Sequence, residues 1–290
     1  METTKSSLYA YLALAAAVAG IAWSAILVRW AGVPGAVSGF YRVLVAGAIL
    51  LPWRVARGSR RPVPAGAAAV AVLGGVFFAF DMALWNTSVM HTGAAVASIL
   101  GNNTPIFVGV MSWLVFRRRP HASFWTGLAL ALAGCLAIML GPAGAGSAPI
   151  TMYGNLLALG GSFFFAAYLV TTERIRPSMD TLTFNTLAIA GSIATLLVVC
   201  LVARLPLAGF PPRAWAAMIA LGLVSQLAAY YALVYALGHL PATITSVGLL
   251  AQVPCTAMLA MLLLGEPLSA LQIAGGAVVL VGIVVVNRGS

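Results

Sequence analysis

Two ionisable residues of this chain stand inside long apolar runs, Arg42 and Asp81. A charge at the centre of a bilayer costs about 2.5–3.5 kcal/mol on insertion scales, so such a residue faces a partner or water. A buried carboxylate offers a place for an ammonium group or a proton. A buried guanidinium offers one for a carboxylate. Paired with each other, the two would form a structural ion pair. Phe77, Asp81 and Trp85 recur every four residues and therefore share one helix face. Gln226, Tyr230 and Val234 repeat that spacing later in the chain. Both faces mix aromatic and polar groups, which suits a cavity for an amphipathic molecule and also suits packing between helices. Asn102, Asn103 and Gln252 carry amides into apolar surroundings, where an amide cannot stay unpaired. They can bridge helices at about 0.6 kcal/mol each, or hold a zwitterion. Pro105 and Pro254 follow Asn103 and Gln252 by two positions. Each proline removes a backbone hydrogen bond and frees a carbonyl one turn earlier. Trp23 and Tyr168 are weaker aromatic candidates.

Other chemistries lack their residues. His91, His121 and His239 are far apart in sequence, and the chain has no HExxH, P-loop or GxSxG pattern. Five acidic residues in total leave little for paired-carboxylate or metal work. Cys135, Cys200 and Cys255 each lie deep in an apolar run and read as small packing residues. No catalytic residue, metal or cofactor is called for. The net charge of +10 sits in short clusters between apolar runs. That pattern belongs to membrane topology and anionic lipid. Nucleic-acid binding would need basic residues interleaved with aromatics.

The elements that position these residues follow from composition. The chain is 62% hydrophobic and 7% charged over 290 residues, against about 25% charged in a soluble domain. The unit to look for is the apolar stretch of about 20 residues that spans a bilayer. Ten such spans are expected, at 8–28, 34–53, 65–89, 93–116, 122–141, 150–172, 181–203, 213–237, 242–264 and 268–287. The first has the outline of a signal peptide but is long enough to span. Arg42 and Asp81 each lie eight residues from the same side of the membrane, roughly 12 Å deep at the rise of an α-helix. Gly127, Gly134 and Gly141, and later Gly275 and Gly282, recur every seven residues, a spacing that predicts close helix packing.

Lys and Arg separate the two sides. Eleven lie at one set of span ends, Lys5, Arg54 and Arg117 to Arg119 among them, and only Arg29, Arg204 and Arg213 at the other. The bias predicts that both termini are cytoplasmic. At an offset of 149 residues Ala83, Asn103, Pro105 and Gly127 fall on Ala232, Gln252, Pro254 and Gly276. The chain thus reads as an all-α integral membrane protein. Its ten transmembrane helices form two inverted five-helix repeats, 1–145 and 146–290, because an odd number of spans per half reverses the second. Secondary transporters use this plan, with a substrate site near the midplane between repeats.

Residues 241–286, with a small-residue helix, a mid-span proline, Gly-Glu-Pro and a glycine-rich last helix, resemble the EamA family of the drug/metabolite transporter superfamily. Asn103 to Pro105 and Phe40-Tyr41-Arg42 resemble it in the first half, whereas Arg117 to Arg119 stand where the family has Gly-Glu. The chain looks most like bacterial exporters of aromatic and other apolar amino acids. The resemblance implies a central cavity lined by spans 1, 3, 4, 6, 8 and 9, and alternating access. The expectation is an inner-membrane exporter of small amphipathic metabolites, touching its substrate and membrane lipid, as monomer or homodimer. Exchange of phosphorylated metabolites or nucleotide sugars is the alternative. A lipid-modifying membrane enzyme and a non-transporting scaffold are alternatives of other classes.

Overall fold

The computed structural model of the chain describes residues 2–58, 63–92, 94–140, 151–264 and 268–288. Among these are ten helical stretches long and apolar enough to cross a membrane. Spans 1 to 5 are Ser7–Ala31, Gly35–Arg57, Ala65–Ser88, Ala97–Phe116 and Ala122–Met139. Spans 6 to 10 are Met152–Ser178, Thr181–Val202, Pro212–Leu237, Ala242–Leu263 and Ala270–Arg288. Spans 2 and 6 run furthest past their expected ends. Span 2 runs through Pro52 to Arg57, because a proline in the last turns forfeits one hydrogen bond while Arg54 and Arg57 favour the helix C-terminus. Span 6 continues into a 3-10 turn, Arg176–Ser178. Gly141 and the Gly-Glu-Pro at 265–267 lie outside the described residues.

Three spans depart from α-helix within their length. Span 4 breaks at Asn102 and Asn103, between helices Ala94–Gly101 and Thr104–Phe116. Span 9 has a 3-10 turn, Leu249–Ala251, ahead of the helix Gln252–Leu264. Both irregularities precede the prolines that the sequence singled out, at matching places in the two repeats. Span 8 was expected to be plain α-helix. Instead its middle, Leu221–Tyr230, is a π-helix, with α-helix before and after. A π-helix bonds residue i to i+5, so side chains four and five apart both fall near one face.

Packing divides the chain into two compact units that do not follow the sequence halves. One comprises Met1–Ala83 and Thr171–Leu240, the other Leu84–Val170 and Pro241–Ser290. The first holds spans 1, 2, 7 and 8, most of span 3 and the end of span 6. Its helices approach closely where side chains are absent. A Cβ on Gly75 would overlap the Ala188 carbonyl, and Ser192 Oγ donates to Gly75 O at 2.8 Å. Small residues at such crossings are what lets membrane helices associate, since lipid supplies no hydrophobic drive. In the second unit spans 5 and 10 run antiparallel. A Cβ on Gly127 would come 2.5 Å from Gly282 O, and one on Gly134 2.5 Å from Gly275 O. The seven-residue glycine spacing therefore packs as expected.

Candidate functional site

In the first unit, spans 2, 3 and 8 gather the charged and aromatic candidates. Arg42 Nε donates to Gln226 Oε1 at 2.8 Å. The guanidinium carbon lies 5.0 Å from the centre of the Tyr230 ring, a cation–π arrangement. Phe78 also packs on that ring, with centroids 4.7 Å apart. Asp81 lies within electrostatic reach of both Arg42 and Tyr230. Arg42, Gln226 and Tyr230 are buried, at 7%, 3% and 6% exposure; Asp81, Phe77 and Trp23 are partly buried.

The π-helix is what aims span 8 at this cluster. Gln226 and Tyr230 both sit in it, and its Ser225 Oγ donates to Gly20 O on span 1 at 3.1 Å. Gly222, also within it, faces span 2. A Cβ there would come 2.5 Å from Val45 Cβ and 3.1 Å from Arg42 O. The bare glycine therefore lets span 8 press against the turn that carries Arg42.

In the second unit the break in span 4 is held by side chains. Asn103 Nδ2 donates to Ile99 O and Leu100 O at 3.1 and 3.2 Å. Thr104 Oγ1 reaches Gly101 O at 3.0 Å. From span 6, Ser162 Oγ lies 2.7 Å from Leu100 O and 3.0 Å from Gly101 O. The carbonyls that Pro105 frees are thus satisfied by protein. Asn102 is different, for its buried Nδ2 has no partner among the described residues. It lines a cavity of about 210 Å³ with Asn103, Ile99, Leu132, Leu136 and Met139. Trp85 packs against Gly101, where a Cβ would meet Trp85 Nε1 at 2.9 Å. Tyr168 is buried and stacks on Phe165. Gln252 and Pro254 are partly buried, with Pro254 against Gly276.

Of the candidates, then, Arg42, Asp81, Gln226 and Tyr230 form one group, and Asn102 and Asn103, with Trp85 beside Gly101, form another. Phe78, Ser225 and Ser162 went unremarked in the sequence, where a phenylalanine or serine in a membrane helix is ordinary. A further cluster was also missed, at the end where most arginines lie. Arg176 donates to Met179 O, to Val234 O at 3.2 Å and to Thr181 Oγ1 at 2.8 Å. Asp180 caps span 7 by accepting from Thr183 N at 3.0 Å. Arg54 donates to Thr183 Oγ1 at 3.1 Å. Some burial of Asp180 works to raise its pKa, but the Thr183 hydrogen bonds prevail and hold the carboxyl below its ordinary range.

The pattern of the EamA-like transporter family matches twice, over residues 6–140 and 152–288. "Uncharacterized transporter YwfM" of Bacillus subtilis (strain 168) is 28% identical over 86% of this chain and 83% of its own. "Uncharacterized transporter YdfC" of the same organism is 27% identical over 84% and 78%. One crystal structure of a protein at 18% identity matches the fold with a TM-score of 0.78, covering 98% of each chain.

Proposed function

Because the chain belongs to the EamA-like transporter family, we propose that this multi-pass membrane transporter exports small amphipathic metabolites, foremost aromatic and other apolar amino acids. The proposal places it in the bacterial inner membrane with alternating access. The observation that carries it is the buried Arg42–Gln226 hydrogen bond beside Tyr230 and Asp81. Intramembrane charges at this depth are costly and mark substrate or ion pathways. A guanidinium and a carboxylate beside an aromatic ring match the three parts of an aromatic amino acid. A phosphorylated substrate would call for several cations, and Arg42 is the one arginine within the apolar part of a span.

Flux into liposomes holding the purified protein tests the reading, with phenylalanine, leucine, alanine and a sugar phosphate compared with and without a proton gradient. Saturable flux of phenylalanine and leucine, weaker for alanine and absent for the sugar phosphate, is expected. Trp85→Ala and Tyr230→Ala are expected to reduce phenylalanine flux more than alanine flux. Equal loss for all substrates would make both residues packing groups, and flux of the sugar phosphate alone would replace the proposal.

A further inference from the structure

We infer that the arginine-rich ends of spans 4, 5 and 10 form a binding site for the headgroup of an anionic phospholipid. This site is separate from the polar cluster above and requires only that the chain spans a membrane. Span 4 ends at Phe116, and Arg117, Arg118 and Arg119 follow in an exposed row. Arg117 has φ of 59°, a left-handed conformation that residues other than glycine rarely adopt. The chain thus turns sharply on an arginine and keeps all three cations at the helix end. Arg119 lies 5.4 Å from the centre of the Trp113 ring. Trp113 is 45% exposed and Trp125, at the start of span 5, is 40% exposed. The two spans meet tightly here, since a Cβ on Gly109 would come 2.8 Å from Phe124 and 3.2 Å from Trp125.

Span 10 adds a fourth cation. Gly127 faces Gly282 and Gly134 faces Gly275. Continued to the end of the helix, that antiparallel register sets Arg288 level with His121. Arg288 is exposed in the last turn. Four arginines therefore border one edge of this unit, above two exposed tryptophans. The unit contains one acidic residue in sequence, Glu266, which precedes span 10 while Arg288 ends it. Nothing acidic in the neighbouring sequence neutralises the cluster. Tryptophan at headgroup level and arginine just beyond it match a lipid, whose acyl chains lie on the rings and whose phosphate meets the guanidinium forks. Basic pockets between helix ends are the recurrent form of such recognition.

The test uses full-length purified protein in detergent, titrated with dioleoylphosphatidylglycerol or dioleoylphosphatidylcholine. Retained lipid is counted by native mass spectrometry, and melting temperature is read on the same samples. The wild type is expected to retain the phosphatidylglycerol, and to be stabilised by it, in preference to the phosphatidylcholine. Each of Arg118→Gln and Arg288→Gln is expected to weaken that retention about fivefold, as one surface charge against anionic lipid implies. Arg57→Gln, in the other compact unit, should leave it unchanged. Trp113→Leu keeps every charge and should also weaken retention, which covers the case in which an arginine variant fails to fold. Equal retention of the two lipids, an equal loss in Arg57→Gln, equal stabilisation by inorganic phosphate, or unaltered retention in Trp113→Leu together with Arg288→Gln would each overturn the site.

Discussion

Arg42 is held by an amide. Gln226 Oε1 is one hydrogen-bond acceptor for it, at 2.8 Å, so the stability of this buried cation depends in part on span 8. A hydrogen bond to a charged group contributes about 1.5–3 kcal/mol. Gln226→Leu is therefore expected to lower the melting temperature clearly, as is Arg42→Met, which strands the amide. The double variant leaves neither the guanidinium nor the amide without the other and should recover part of the loss, Asp81 having lost its neighbouring cation. Melting curves of the four purified proteins check this, and additive losses would show that the two residues act independently. Asp81 lies within electrostatic reach of Arg42 and Tyr230. Asp81→Asn is expected to keep the melting temperature near wild type and to flatten the pH dependence of flux; an unchanged profile would remove Asp81 from the mechanism. Arg42, Asp81 and Gln226 were legible in the sequence because ionisable and amide groups are scarce in apolar runs. The hydrogen bond between Arg42 and Gln226 was not, since equal depth set Asp81 near Arg42 but could not register the neighbouring amide.

Helices set these contacts, and span 8 sets most of them. Its π-helical middle has no sequence signature that hydrophobic spacing can reveal, because its apolar residues are spread along the whole stretch. Gly222 is the visible trace. Gly222→Ala would drive a methyl into Val45 Cβ and the Arg42 carbonyl, and overpacking of this kind costs about 1–3 kcal/mol. Loss of flux together with a lower melting temperature is expected; a fully active, equally stable variant would show that spans 2 and 8 can part without consequence. The breaks in spans 4 and 9, by contrast, were legible through Pro105 and Pro254. Span 7 carries a separate dependence at its start. Asp180 accepts hydrogen bonds from Thr183 N and Thr183 Oγ1, which hold its pKa below the ordinary carboxylate value. A carboxyl lowered in the folded state stabilises above its unfolded pKa and loses that contribution as pH falls through the folded one. Asp180→Ala should therefore cost about 1 kcal/mol at neutral pH, typical of a lost N-cap. The gap from wild type should close in acid below the usual carboxylate range, which melting curves across pH would show.

At the scale of the molecule, the ten spans and the two family matches followed from apolar length and from the 149-residue offset. The eleven-to-three distribution of Lys and Arg leads us to expect tags at Met1 and Ser290 to be reachable only from the cytoplasm, as protease protection of inverted and right-side-out vesicles would report. An extracytoplasmic tag at either end would overturn that orientation. What the sequence could not convey is the pattern of packing. Sequence repeats divide the chain near its middle, whereas the compact units draw on both halves, because a repeat records descent and packing records which faces meet.

That interleaving bears on how the protein is made. Gly75 waits for Ala188, and Gly222 reaches back to Val45. At the ribosome's pace of about 5–20 residues per second, the early spans sit in the lipid for on the order of ten seconds before their partners are even synthesised. Neither half can finish a packed unit alone. Newly inserted spans 2 and 3 must hold Arg42 and Asp81 in lipid, with each other's charge at hand, before Gln226 and Tyr230 of span 8 are made.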